Sequence, residues 1–328
     1  MTAPNVTLIV VPRERFSYAQ TSLNSLYDHT QLPFKLIYVD GNSPKGLQQF
    51  LKQQSEERGF KLVRTNQYLY PNQARNIGLH HADTEYIVFV DNDVVVSPGW
   101  LTALVNCADE TGAAVVGPLM CQHEPIHQEI HFAGGESHVW TDKLGRRRLR
   151  EKMRHQGKQV ADLQHQLKRE PTELAEFHCV LVRRSIFDEI GGLDEAMLNT
   201  KEHLDFCMTV QALGKRVYFE PAAVVTYVPG RPQQLADVHY YMLRWSNAWT
   251  LNSLNHLREK WNLVEDAYFT SKYKKLGWRR YGTLTKPITR RLTFGIGSHR
   301  LAPVISKLEH QLNRYLTNRH QNLTSKGK

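Results

Sequence analysis

Asp91 and Asp93 stand on either side of Asn92, directly after the apolar run YIVFV at 86–90. Two carboxylates at that spacing beyond a strand end present hard oxygen ligands to Mg2+ or Mn2+. A cation held there bridges diphosphate oxygens and stabilises charge developing on a departing nucleoside diphosphate. An aspartate pair in a turn is more often solvated, each side chain capping nearby backbone, so the neighbours decide. Asp40 follows the run LIYV and leads into Gly41; a carboxylate there accepts hydrogen bonds from a base or ribose, and glycine admits close backbone approach. Arg75 falls on a helical stretch just ahead of the Asp91 strand, where a guanidinium neutralises phosphate or simply decorates the surface. Glu202, His203 and Asp205 open a later helical stretch, with Glu202 and Asp205 on one face and Leu204, Cys207 and Met208 turned to a core. Acids at a helix start also offset the helix dipole without chemistry.

These residues need a scaffold, and the chain supplies an alternating one. Short apolar runs at 6–11, 35–39, 61–64, 85–90 and 113–117 read as strands, with helical spacing between them at Leu47, Phe50 and Leu51 and again at Leu101, Leu104 and Val105. That is an α/β layout, Rossmann-like, with a mostly parallel sheet flanked by helices. Ligands in such sheets sit beyond the carboxyl ends of the strands, where the sequence places 12–15, 40–43 and 91–93. Periodicity fades over 118–176, which reads as an insertion carrying a basic, helix-prone stretch, DKLGRRRLREKMRHQGKQ. His123, His127 and His131 recur at a spacing of four, but Pro125 argues against a helix and they read as loop residues. Gly134 and Gly135 read as a turn. Residues 216–220 read as a further strand stopped by Pro221, and a helical segment follows over 231–271.

The block order is similar to that of the large family 2 glycosyltransferases, which have a GT-A fold. The first strand with Pro12, then VDGNS, ARNIGL and the strand ending in DND carry the resemblance, joined by CVLVRRSIFDEIGGLDE and KEHLDFCMTVQALGKRVYFEPAAVV over roughly 6–228. The resemblance implies a catalytic domain over 1–230. It implies that Pro12 and Glu14 lie in a nucleotide-binding loop, that Asp40 contacts the base, that Arg75 lies by the donor, and that Asp91 and Asp93 hold ribose and metal. Members usually open the later helix with Glu-Asp, the aspartate deprotonating the acceptor hydroxyl. Here the pair is Glu202-His203, and imidazole, titrating near about 6.5, is also a competent base. The base is therefore expected among His203, Asp205 and Glu202, with His203 first by family position and Asp205 second by helix geometry. Where many members carry a histidine after PxAVV this chain has Tyr227, so His239 or the phosphates alone would complete the metal's ligands.

The implied activity is inverting transfer from a nucleotide-sugar, a UDP-sugar first, to a hydroxyl of a glycan or lipid-linked acceptor in cell-envelope polysaccharide synthesis, with Mn2+ or Mg2+ as cofactor. The alternative is a scaffold that keeps the fold and has lost the chemistry. No GxGxxG follows the first strand, which argues against a dehydrogenase. Cys107, Cys121, Cys179 and Cys207 form no CxxC pair and read as reduced packing residues. The start enters a strand pattern without a basic leader, and no apolar run reaches the about 18 residues of a span, so the expected location is cytoplasmic. The net charge of +10 is uneven: 272–328 hold 14 Lys and Arg against one acid, Glu309, while the rest carries 28 bases and 31 acids. Such a helical, basic extension expects an anionic partner. A membrane face fits better than nucleic acid, because Leu301, Val304, Ile305, Leu308, Leu312, Tyr315 and Leu316 fall on one helical stripe.

Overall fold

Strands whose every residue is apolar must be covered on both faces, and here helices cover them. The computed structural model describes residues 5–229 and 235–326. In chain order the first half forms β1 (Val6–Val11), α1 (Ala19–His29), β2 (Phe34–Gly41), α2 (Lys45–Arg58), β3 (Lys61–Thr65), α3 (Pro71–Leu79), β4 (Tyr86–Asp91), β5 (Val94–Val96), α4 (Trp100–Thr111) and β6 (Val115–Gln122). Next come β7 (Glu129–Phe132), β8 (Gly135–Thr141), β9 (Arg147–Met153), α5 (Val160–Leu163), β10 (Glu170–Thr172), β11 (Cys179–Arg183), α6 (Ser185–Ile190), α7 (Glu202–Ala212) and β12 (Val217–Tyr227). The main sheet runs β10-β12-β6-β11-β4-β1-β2-β3, with β5 paired to β12 and β7 to β6. The strands β3, β2, β1 and β4 are parallel. β11 lies antiparallel between β4 and β6.

That reversal positions the site. Because β11 runs backwards, its first residues meet the carboxyl end of β4: Cys179 faces Val90, and the Asp91 N–H donates to the His178 carbonyl at 2.9 Å. On the other side α3 presses closely on β1. A Cβ on Gly78 would lie 2.2 Å from Ile9 Cγ2, so only glycine permits the contact that brings Arg75, one turn earlier, beside β4.

The stretch expected as a helix-prone insertion is different. β6 runs on to Gln122, β7 pairs with it, and β10 joins the sheet edge against β12. The basic run forms β9, paired with β8 from Gly135–Met153 to Thr141–Arg147. Cross-strand pairing overrides local propensity here: Arg150 and Lys152 both reach Glu136, and Arg148 reaches Asp142. Gly135 serves this hairpin, since a Cβ there would fall 2.5 Å from the Lys152 carbonyl oxygen. His131 is a strand residue of β7, contrary to the loop reading, whereas His123 and His127 lie outside the strands.

The C-terminal part is helical: α8 (Leu235–Arg244), α9 (Asn247–Lys260), α10 (Ala267–Tyr273), α11 (Trp278–Arg280), α12 (Lys286–Leu292) and α13 (Leu301–Lys326). The boundary expected near 230 lies outside the described residues. Arg280, fully buried, binds Glu309 at 2.6 Å and Asn247 at 3.0 Å, and Asn313 donates to the Met242 carbonyl at 2.7 Å. α13 therefore rests on the body through a largely polar face that includes Asn313, Thr317 and His320. The apolar stripe splits: Leu301, Ile305 and Leu316 are half-buried, while Val304, Leu308, Leu312 and Tyr315 are exposed. Among the described residues no helix is long and apolar enough to cross a membrane.

Candidate active site

The carboxyl ends of β1 and β4 and the start of β11 converge on a cavity of about 380 Å³. Asp91 ends β4 and is gripped by two arginines. The Arg75 Nη2 donates to its Oδ1 at 3.1 Å, and Arg13 Nε lies 3.4 Å from its Oδ2. Arg75, itself 1% exposed, is held by Asn72 at 3.2 Å and lies over the Phe177 ring, so its guanidinium is fixed. Arg13 follows Pro12 out of β1 and also stands 3.8 Å from Glu202. Asn92, between the two aspartates, accepts from the Arg13 N–H at 2.9 Å and so pins the loop after β1 to the loop after β4.

Asp93 has no such partners. It is fully buried, and neither of its oxygens has a hydrogen bond among the described residues. Burial first, then the negative charges of Asp91 and Glu14, push its carboxyl well above the ordinary range. An unpaired buried carboxylate costs several kcal/mol, so this position calls for a cation or a proton. The Asp91, Asp93 and His178 ligand atoms lie within 4.8 Å of one another. His178 Nδ1 is 2.9 Å from Asp91 Oδ2, yet both atoms also lack hydrogen bonds among the described residues. Burial, followed by Arg13 and His131, holds the His178 imidazole well below its ordinary value, which favours the neutral form that ligates metals. Two carboxylates and an imidazole form a donor set for a divalent cation, the carboxylates being the ligand type that suits Mn2+ or Mg2+.

Tyr227 does not supply the expected imidazole. Its ring stacks on His178 at 4.0 Å and its hydroxyl donates to Glu14 at 2.9 Å, which fixes the His178 plane. The histidine thus arrives from the strand beside β4 rather than from the end of β12. His239 packs edge-on against Tyr68, with ring centroids 5.0 Å apart, and does not line the cavity.

The other expected residues divide. Glu202 and His203 line the cavity. Glu202 is held 3.3 Å from Arg244 and 3.8 Å from Arg13. His203 Nε2 stands 3.3 Å from Glu176 Oε1; burial and then Lys201 hold the imidazole well below its usual value, while burial raises the Glu176 carboxyl to about 7. Asp205 points elsewhere. It accepts from Lys260 at 2.7 Å and Trp261 at 2.8 Å, tying α7 to α9, because the helical turn that separates it from Glu202 carries it past the cavity. Asp40 is buried and bound by the Ser43 N–H and Oγ, each at 2.9 Å, and by Arg64. Pro12 and Glu14 lie in the loop after β1, where the Pro12 carbonyl accepts from Tyr240 at 3.3 Å.

A family model described as Glycosyl transferase family 2 matches residues 7–191. The chain belongs to that family. It is 23% identical over 231 residues to the uncharacterized protein y4gI of Sinorhizobium fredii, covering 67% of this chain and 24% of that one. With the O-antigen biosynthesis protein RfbC of Myxococcus xanthus the identity is 27% over 221 residues, covering 65% and 16%. With the pre-mycofactocin glycosyltransferase of Mycobacterium tuberculosis it is 26% over 167 residues, covering 48% and 30%. The chain thus spans less than a third of each of these relatives. Among solved structures, GalNAc-T7 with UDP, GalNAc and Mn2+ superposes with TM-score 0.52 at 14% identity, covering 84% of this chain and 57% of that one. A mannosyltransferase of Pyrobaculum calidifontis with GDP-Man and Mn2+ also gives 0.52, at 15% identity, covering 99% and 86%. These likenesses place the family 2 chain in the GT-A fold.

Proposed function

We propose that this chain is an inverting, metal-dependent glycosyltransferase that moves a sugar from a nucleotide-sugar, a UDP-sugar first, onto a hydroxyl of a glycan or lipid-linked acceptor in cell-envelope polysaccharide synthesis. The observation that carries the reading is the unpaired Asp93 carboxylate, buried beside Asp91 and His178 at the edge of a cavity that Arg13 and Arg75 enter. Asp91, Asp93 and His178 would hold Mn2+ or Mg2+, which supplies charge stabilisation for the leaving diphosphate. Arg13 and Arg75 are preorganised to meet the same diphosphate, since each is already fixed by protein contacts before a donor arrives. His203 receives the acceptor proton, its imidazole kept neutral by burial and oriented by Glu176. Attack from that side in a single displacement inverts the anomeric centre.

The setting follows from the same reading: a cytoplasmic enzyme whose 272–328 extension touches an anionic membrane face, with no role for nucleic acid. Phe294 at 97% and Ile296 at 90% exposure, next to Arg290, Arg291 and Arg300, favour that contact. The deciding experiment is a panel of nucleotide-sugars with Mn2+, scored for donor-dependent thermal stabilisation and for release of nucleoside diphosphate. Stabilisation that needs both nucleotide and cation, with turnover on an acceptor glycan, is the expected result. Binding without turnover on any acceptor would leave the scaffold alternative standing.

A further inference from the structure

The wall of the cavity opposite the aspartates is built by the start of α7 and the α10–α11 turn; its Glu202 is paired with Arg244 and Arg13 and its Glu176 with His203, which leaves Glu151 as the acid that meets the lysines Lys201 and Lys272. Lys201 precedes α7 in a left-handed conformation, φ 67°, which a non-glycine residue adopts only when its surroundings hold it there. What holds it is Glu151 of β9: both carboxylate oxygens lie 2.7 Å from Lys201 Nζ, and Tyr268 also donates to Glu151, at 2.5 Å. Lys272 arrives at the same carboxylate from α10, 3.9 Å away, and lies over the Tyr268 ring at 5.1 Å. One carboxylate is therefore shared by two ammonium groups, and Lys201 has taken both of its oxygens. Lys275 adds a further cation at the rim, beside Trp278, which is 68% exposed.

From this imbalance we infer that Lys272 and Lys275 form a subsite for an anionic group, phosphate or carboxylate, carried by the acceptor. The inference rests on the glycosyltransferase reading for the word acceptor, but the anion site itself does not need it. Like charge from Lys201, followed by burial, brings the Lys272 ammonium down to about 8, the behaviour of a cation short of a counter-charge. An incoming anion supplies that counter-charge in a partly desolvated place, where charge-assisted hydrogen bonds are about twice as strong as neutral ones. The diphosphate arginines, Arg13 and Arg75, are already engaged with Asp91, so the two cationic sets serve different ligand groups. Trp278 offers an apolar face to the sugar that bears the anion.

The test uses the full chain without nucleotide or metal and three probes, inorganic phosphate, glucuronate and glucose, followed by tryptophan fluorescence and calorimetry. Phosphate, glucuronate or both should bind and glucose should not, the two anions separating phosphate-bearing from uronate-bearing acceptors. Lys272→Met with Lys275→Met keeps the aliphatic stems and should weaken anion binding at least about ten-fold, the scale of a lost charge-assisted hydrogen bond. Glu151→Gln should move it the other way, tightening binding by removing the resident counter-charge. Should the double variant misfold, Lys275→Gln alone, at an exposed position, serves in its place with a smaller loss. Anion binding unchanged in these variants, or none in wild type, overturns the subsite. Nucleotide-sugar turnover that persists without anion binding overturns this inference alone, and anion binding without any turnover overturns only the enzymatic reading.

Discussion

The two walls of the cavity handle charge in different ways. On the strand side, Asp91 is clasped by Arg13 and Arg75, both of which are fixed by stacking or hydrogen bonds on Trp245, Phe177 and Asn72. Beside Asp91 lies Asp93, a buried carboxyl with neither oxygen hydrogen-bonded among the described residues. On the helical side one carboxylate, Glu151, is shared by Lys201 and Lys272, and Lys272 and Lys275 are side chains that carry several rotatable bonds. A wall of fixed charges suits a transition state whose geometry never varies, because preorganised dipoles need no rearrangement as charge develops. A wall of flexible lysines suits recognition of a variable partner. Under the proposed function, the fold can therefore keep its chemistry while changing its acceptor.

The largest expected effect breaks the strand wall. Asp93→Ala should lower transfer by about 1000-fold or more, the scale at which a lost electrostatic stabiliser acts, and should abolish any effect of EDTA on nucleotide binding. The same substitution should leave the melting temperature of the metal-free protein unchanged or higher, because it deletes a buried charge without a partner. Full activity in Asp93→Ala, or in wild type with excess EDTA, would end the metal reading. Next in size, His203→Ala should cut turnover about 100-fold with donor binding intact. Asp205→Ala should instead cost about 2 kcal/mol of stability through its broken bonds to Lys260 and Trp261 and leave most turnover in the folded fraction. If the two swap behaviour, the base lies on the α9 side of α7. Arg13→Ala ranks third: the donor KM should rise about ten-fold, the usual loss for one charge-assisted contact, and Glu202 should lose one of its two cations.

Of the strand wall, chain order announces Asp91 and Asp93 after an apolar run and Arg75 on the helix before it; Arg13, and the close packing of that helix on β1 that Gly78 permits, emerge only in the folded chain. His178 was not legible as a ligand, since nothing in CVLV announces that its strand runs antiparallel and presents its first end to the site. Glu176 went unnoticed for the same reason. The reading of the basic stretch as helical failed because Arg148, Arg150 and Lys152 find their acids across a hairpin, a pairing invisible to local propensity. By charge alone the extension from 272 onward expects an anionic partner, yet its first residues line the cavity and Arg280 anchors it to the body.

That anchoring decides how the smallest effect must be sought. Deleting 272–328 would remove Lys272, Lys275 and Arg279 from the cavity wall, so a truncated chain cannot report on membrane contact separately from catalysis. The outward surface offers a cleaner handle. Val304, Leu308, Leu312 and Tyr315, each at least 50% exposed, form the outer stripe of α13, and the loop before it presents Phe294 and Ile296 almost bare. Each apolar side chain buried in a bilayer interface returns up to about 2 kcal/mol, and each nearby Lys or Arg adds about 1 kcal/mol on an anionic surface. Phe294→Ser with Ile296→Ser removes the first contribution and none of the charge. Co-sedimentation with anionic vesicles should therefore fall by about ten-fold or more for the double variant, while solution turnover on a soluble acceptor stays at the wild-type level. High salt should weaken wild-type binding to anionic vesicles, and neutral vesicles should capture little of either protein. Equal capture of wild type and double variant, or capture indifferent to both salt and lipid charge, would show that these side chains face water for some other reason and that the extension serves only to close the cavity.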